Sequence, residues 1–270
     1  MTEQSSRYDR IAEGYAAWWS PVHRPATLRL LDEVAGDAAS GRRRILDVGC
    51  GTAALATAAV RRWPDAEVDA TDASTGMLAI AGREVAATGD GSRIRLTCAS
   101  ADRLPFEDGT FDVAVAAFVL QLVPSRPRAL REMRRVLRPG GRLALVAWLQ
   151  GETRLAADDA WDAALHAVGI DARGAWGGHD DLASPSAAVA QLRRAGLSGV
   201  TAREDRLVHQ FTPDGYLAFL TRFDDGDLVE GLEPAVREAL EADALARLRA
   251  LAPEGLCLSV PIVYASGVRR

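Results

Sequence analysis

From residue 44 to 148, short apolar runs alternate with stretches whose apolar residues recur every three or four positions. RILDV (44–48), AEVDATD (66–72), RIRLTCA (93–99), FDVAVAAFV (111–119) and RLALVAW (142–148) have the length and composition of strands. Between them the pattern predicts three helices. One runs from Thr52 to Trp63 and is stopped by Pro64. A second runs from a Ser74 N-cap to about Ala87, with Gly89 beyond its end. A third opens at Pro124, buries Leu130, Met133 and Leu137, turns Arg128, Arg131, Arg134 and Arg138 outward, and stops at Pro139-Gly140-Gly141. Strands alternating with helices of this length specify an α/β fold with a parallel sheet, whose ligands bind beyond the carboxyl ends of the strands.

The flanks differ. Tyr8, Ile11, Tyr15 and Trp18 give residues 7–38 one apolar helical face, and Pro21 and Pro25 are expected to separate two helices there. After 150 the pattern predicts a helix plus loops over 151–184 and a helix from Ser186 to Ala195. A strand follows over 200–211, then a helical stretch over 213–251 with Val236, Leu240, Ala244 and Leu248 every fourth residue, and a last strand over 256–268. The expected organisation is a single domain. Residues 1–40 are N-terminal helices, 41–150 a core, 151–255 insertions that cap the sheet and carry a sixth strand, and 256–270 the last strand.

Composition narrows the chemistry. All 32 basic residues are arginine, so mechanisms that need a lysine amine are excluded: no Schiff base, no phosphate-loop lysine, no Tyr/Lys dehydrogenase pair. A net charge of -5 disfavours a nucleic-acid partner, and the doublets Arg61-Arg62, Arg134-Arg135 and Arg193-Arg194 read as solvated helix faces. Cys50, Cys98 and Cys257 have no metal or disulfide spacing; Cys98 and Cys257, in apolar runs, are expected in the core. His179-Asp180-Asp181 reads as a solvated loop, and no metal is expected. The opening MTEQSSRYDR is not a leader peptide and no segment is apolar enough to span a membrane, so the expected location is the cytoplasm.

The most informative segment is ILDVGCGTA (45–53), a strand that ends in Gly49-Cys50-Gly51 and turns at once into a helix. Glycine there permits a sharp turn and close approach of a ligand, and the helix presents free N–H groups. Two ligand classes share such a loop. Asp47, two residues before the first glycine, repels a diphosphate and attracts an ammonium. Asp72, 21 residues beyond Gly51, stands where an acid meets ribose hydroxyls. Asp102, after the third strand, is placed to accept from an adenine amino group.

ILDVGCGTA, DATDASTGML, ASADRLPFEDGTFDVAVAAFVLQLV and ALREMRRVLRPGGRLALVAW, in this order, resemble the class I, Rossmann-like S-adenosylmethionine-dependent methyltransferases. The likeness is to the small-molecule branch that includes the ubiquinone/menaquinone C-methyltransferases. The resemblance implies a seven-stranded, mostly parallel, doubly wound sheet with an antiparallel last strand, and S-adenosylmethionine as cofactor. It implies that Gly49 and Gly51 line the methionine moiety and Asp47 orients the loop and the ammonium. Asp72 takes the ribose hydroxyls, Ala73 and Met77 pack on adenosine, Ala101 and Asp102 meet the adenine, and Phe118 sits beside the reactive methyl. Tyr15 or Trp19 would close over the cofactor. Two departures stand out: Ala53 replaces the family's usual third glycine, and Gln121 stands where the family often has a histidine.

Methyl transfer from a sulfonium is an in-line displacement with a neutral leaving group, so alignment in a dry site is the main requirement and a base only an occasional one. The substrate is expected above strands four and five, among Trp18, Trp19, His23, Trp148, Trp161 and Trp176. Of the four histidines, His23, His166, His179 and His209, His23 is the candidate base. A nicotinamide-dependent oxidoreductase and a non-catalytic S-adenosylmethionine-binding protein are the alternatives. A nucleic-acid or protein methyltransferase is disfavoured because Ala117-Phe118-Val119-Leu120 lacks the Pro-Pro-aromatic motif of exocyclic-amine enzymes.

Overall fold

Strands β1 (Arg43–Val48) and β4 (Phe111–Ala117) are buried along most of their length, as strands covered by helices on both faces must be. The computed structural model describes residues 3–38, 43–89, 91–151, 153–171 and 181–270. Around β1 and β4 lie β2 (Ala66–Asp72), β3 (Ile94–Cys98), β5 (Leu137–Trp148), β6 (Leu197–Gln210) and β7 (Cys257–Arg269). They form one sheet in the order β3-β2-β1-β4-β5-β7-β6. The first five strands pair in parallel and β7 runs antiparallel to β5. This is the seven-stranded arrangement expected. Strand order reverses between β1 and β4, so a crevice opens beyond their carboxyl ends.

The helices are α1 (Glu3–Gly14), α2 (Ser20–Glu33), α3 (Ala35–Ala38), α4 (Ala54–Arg62), α5 (Thr75–Thr88), α6 (Arg126–Val136), α7 (Ala156–Ala167), α8 (Pro185–Arg194), α9 (Pro213–Phe219), α10 (Gly226–Glu230) and α11 (Pro234–Arg249). Ser74 caps α5 by accepting the Met77 N–H, and Gly89 ends it in the left-handed conformation, both as the sequence predicts. Leu130 and Met133 of α6 are buried with Leu46, Val48 and Leu143 in the core, whereas Leu137 and Pro139-Gly140-Gly141, expected to close that helix, belong to β5, Leu137 being buried at its start.

Pro21 and Pro25 do not separate two helices. Pro21 sits in the first turn of α2, where its missing N–H is harmless, and Pro25 lies inside α2, which is held by buried Val22, Ala26, Leu30 and Leu31. The junction is a π-helical turn at Tyr15–Trp19. Residues 213–251 are not one helical run: a π turn at Leu220–Asp224 and a break before Pro234 divide them, although Leu240, Ala244 and Leu248 are fully buried as expected. Cys98 is exposed because β3 is an edge strand and Cys98 its last residue, and Cys257, the first residue of β7, is half-buried. Arg135 is more than a solvated doublet: its guanidinium bonds Glu132, Asp108 and the Leu104 and Phe106 carbonyls, clamping the loop after β3.

The chain divides into two compact units, Met1–Gln150 with His179–Asp205 and Pro261–Arg270, and Gly151–Gly178 with Arg206–Val260. The first holds β1 to β5 whole, with residues 197–205 of β6 and 261–269 of β7. In the second, α7 packs on α11, the Trp161 indole donates to Asp225 (2.7 Å), and the Tyr216 hydroxyl donates to Asp158. Among the described residues no helix is long and apolar enough to cross a membrane.

Candidate active site

The glycine turn follows β1. Gly49, Gly51 and Ala53 all have left-handed backbones, with φ of 68°, 52° and 61°. Such φ values suit glycine, whereas Ala53 carries the conformation at a cost of about 1–2 kcal/mol. That is the physical meaning of the missing third glycine. The turn is closed by bonds from Cys50 N–H to the Thr71 carbonyl and from Ala53 N–H to the Cys50 carbonyl (both 2.9 Å). The glycines are not equivalent. A Cβ on Gly49 would meet Val119 Cγ2 at 2.4 Å, whereas one on Gly51 meets nothing within 4 Å. Gly49→Ala is therefore expected to cost about 1–3 kcal/mol for overpacking beyond the backbone strain of about 1–2 kcal/mol, and Gly51→Ala only the strain. Urea unfolding of the pair checks this; equal midpoints would contradict the tight contact at Gly49.

Asp47 lies beneath the turn, 2% exposed, and its Oδ2 has no hydrogen-bond partner. Burial, then the nearby Asp72 charge, pushes its carboxyl up to about 7, only partly offset by a bond from the Ala56 N–H. Asp72 ends β2. Its Oδ2 accepts the Gly51 N–H and its Oδ1 the Ser74 N–H, both at 2.9 Å. Burial raises its carboxyl too, against these same bonds. Two carboxyl groups whose affinity for a proton is raised by burial thus face one turn.

Ala73 is exposed beside Asp72, and Met77 is buried with Ala12 and Ile80, against Tyr8, Tyr15 and Ala16. Ala101 is buried after β3, and Asp102 accepts the Ser100 hydroxyl (2.7 Å). All are in the first unit.

At the ends of β4 and β5 stands a second group. His23, 6% exposed, stacks on Phe118 (centroids 4.9 Å apart) and meets Trp19 (4.6 Å), Trp148 (5.3 Å) and Tyr15 (5.9 Å) edge-on. Phe118 and Trp148 are themselves 4.4 Å apart. The Tyr15 hydroxyl and His23 Nδ1 are hydrogen-bonded (3.2 Å), while Nε2 is buried without a partner. Burial drives the imidazole pKa down to about 3, so His23 is neutral at physiological pH. Phe118 leaves β4 with φ 56°, and the Gln121 side-chain amide donates to the Phe118 carbonyl (2.6 Å), holding this strained corner. Gln121 thus acts on the backbone here.

The structure therefore brings Asp47, Gly49, Gly51 and Asp72 to one turn, and Tyr15, Trp19, His23, Phe118 and Trp148 to one aromatic cluster. Trp161 belongs to the second unit; Trp176, His179 and Asp180 lie outside the described residues. His166 is exposed and His209 is half-buried against Phe211. Among the described residues no group of three or more His, Cys, Asp or Glu is arranged to hold a metal ion. Sequence reasoning missed Asp9, whose carboxylate reaches α5 from α1; its partners are 65 to 67 residues away, so no local spacing signals it.

This is the sheet order and glycine turn of the Rossmann-like class, with the buried Asp47 and the half-buried Asp72 at the turn. Residues 45–141 match the family model described as "Methyltransferase domain", so this segment is similar to the methyltransferase domains of that family. The demethylmenaquinone methyltransferase of Symbiobacterium thermophilum is 38% identical over 144 residues, covering 50% of this chain and 55% of that protein. The chain spans about half the length of the curated relatives it matches, from 41% to 58%. Among solved structures, the YcgJ protein from Bacillus subtilis aligns with TM-score 0.58 at 20% identity, covering 89% of this chain and 97% of that one. Phosphoethanolamine N-methyltransferase 2 of Haemonchus contortus, solved with phosphomonomethylethanolamine and S-adenosylhomocysteine, aligns with TM-score 0.52 at 18% identity, covering 91% and 52%. These two likenesses are likenesses of fold.

Proposed function

We propose that the chain transfers the methyl group of S-adenosylmethionine to a small, flat organic acceptor, as a cytoplasmic enzyme without a nucleic-acid partner. The observation that carries this reading is the buried, unpartnered Asp47 Oδ2 beside Asp72 under the glycine turn. A diphosphate is repelled by that pair, and an ammonium satisfies it. When bound, S-adenosylmethionine supplies a methyl on a sulfonium, open to in-line attack with a neutral thioether leaving.

In this reading Asp47 orients the loop and the ammonium, and Gly49 and Gly51 admit the methionine moiety to the backbone. Asp72 keeps lone pairs for ribose hydroxyls after accepting its two N–H bonds. Ala73 and Met77 flank adenosine, Ala101 and Asp102 meet the adenine, and Phe118 stands at the methyl. Tyr15, Trp19 and Trp148 form an aromatic wall for the acceptor, in keeping with the quinone-type substrate in the relative's name. His23 takes a role narrower than that of a base. Burial opposes a second proton on its ring, and a cationic sulfur nearby opposes it further, so Nε2 serves as a neutral hydrogen-bonding group that orients the acceptor.

Calorimetric titration with S-adenosylmethionine and with NAD tests the cofactor. Binding of the former alone is expected; binding of NAD alone overturns the reading. Transfer of labelled methyl into quinols or phenols then tests the reaction, and tight binding without transfer to any extract component favours a binding protein instead.

A further inference from the structure

Asp9 lies on α1, remote in sequence from α5, yet one of its carboxylate oxygens accepts from the Ser74 hydroxyl (2.7 Å), the Gly76 N–H (2.8 Å) and the Thr75 hydroxyl (3.3 Å). Ser74 is also the N-cap of α5, accepting the Met77 N–H (3.0 Å), and its own N–H donates to Asp72. Asp72 in turn accepts from Gly51. A continuous path therefore runs from α1 through Ser74 and Asp72 to the glycine turn.

A second, apolar contact sets the same register. A Cβ on Gly76 would lie 2.9 Å from the Asp9 carbonyl oxygen and 3.0 Å from its Cα, so the backbone of α1 passes directly over the first turn of α5. Ala12 packs there on Met77 and Ile80, with Tyr8 and Tyr15 alongside. The hydrogen bonds from Gly76 and Ser74 hold the Asp9 carboxyl below its ordinary range, so at neutral pH it places a full negative charge at the positive end of α5. The π-helical turn at Tyr15–Trp19 begins one residue after α1 ends, and His23 lies in α2, so the seat of α1 decides where Tyr15, Trp19 and His23 fall.

The geometry points to Asp9 as a positioning residue: it registers the N-terminal segment on α5, and so aligns the aromatic wall around His23 with the Asp72 carboxylate and the glycine turn. The identity of the ligand rests on the methyltransferase reading; the seating itself does not. A purely structural cap would contribute to stability and nothing more. The two roles separate when local opening and cofactor kinetics are measured together.

Two variants of the full chain serve. Asp9→Asn removes the charge with little change of shape, and Gly76→Ala pushes the α1 backbone away while keeping the Asp9 charge and every hydrogen-bonding group. Both are expected to speed amide exchange across residues 3–19 about tenfold, with exchange in β1 and β4 unchanged. S-adenosylhomocysteine should leave about tenfold faster, and KM for S-adenosylmethionine should rise more than kcat falls, with Asp9→Glu restoring part of the loss. Unchanged exchange over 3–19 in both variants, or acceleration spread evenly over the sheet, overturns the proposal. Selective acceleration over 3–19 in a protein that binds no S-adenosylhomocysteine upholds the seating and sinks the methyltransferase reading instead.

Discussion

Asp47→Asn is expected to make the folded protein more stable at pH 8 and, at the same time, to cripple its hold on a cationic ligand. The carboxyl is raised from 3.8 to about 7 on folding. The native state therefore binds a proton that the unfolded chain releases between these values. The stability associated with this group is present in full below about pH 4 and is lost as pH rises through 7. At pH 8 the buried charge costs on the order of 4 kcal/mol, because the change from 3.8 to about 7 is roughly three tenfold changes in proton affinity, each worth about 1.4 kcal/mol. Asparagine fills the same space without a charge, so the gain in unfolding midpoint should be largest at pH 8 and shrink toward pH 4. Binding moves the other way. An ammonium beside Asp47 Oδ2 offsets the burial of the carboxylate, and its loss should weaken S-adenosylmethionine binding about 30- to 100-fold, on the order of 2–3 kcal/mol. In the parent protein affinity should fall as pH drops below 7, because the carboxylate must ionise to bind; that dependence should vanish in the variant. A variant less stable than the parent at pH 8, or one with an unchanged pH profile of binding, would falsify the assignment of Asp47 as the uncompensated anion.

Legibility from sequence followed the distance over which each feature is encoded. The five parallel strands, the Ser74 cap and Gly89 were readable because each depends on a few adjacent residues. Asp47 and Asp72 were readable because a strand end and a turn fix them locally, with one helix and one strand between. Pro25 misled because helix propensity is a local rule, whereas α2 is held by burial of Val22, Ala26, Leu30 and Leu31. Cys98 misled because an apolar run does not reveal that its strand lies at the sheet edge. The aromatic wall was half legible. Tyr15, Trp19, Phe118 and Trp148 were candidates one by one, but their meeting around His23 depends on how α2 lies against the ends of β4 and β5. Asp9 was invisible for the same reason: nothing near it in the chain distinguishes it from any exposed helical acid.

Asp72→Ala should reduce affinity for S-adenosylhomocysteine by one to two orders of magnitude, about 1.5–3 kcal/mol for lost charge-assisted bonds. Two losses combine. The ribose hydroxyls lose their acceptor, and the Gly51 and Ser74 N–H groups lose theirs, so the glycine turn and the start of α5 are released together. Stability should change less than binding, because removing a carboxylate whose pKa burial has raised relieves a cost that offsets part of the lost hydrogen bonding. Asp72→Asn separates the contributions: its single amide oxygen can replace one of the two acceptors, so the turn should be partly restored while the charge is not. Calorimetry with S-adenosylhomocysteine, beside thermal unfolding of the same samples, reads both. Affinity recovered fully in Asp72→Asn would mean that the carboxylate only shapes the turn; affinity still low with the unfolding midpoint restored would place its charge on the ligand.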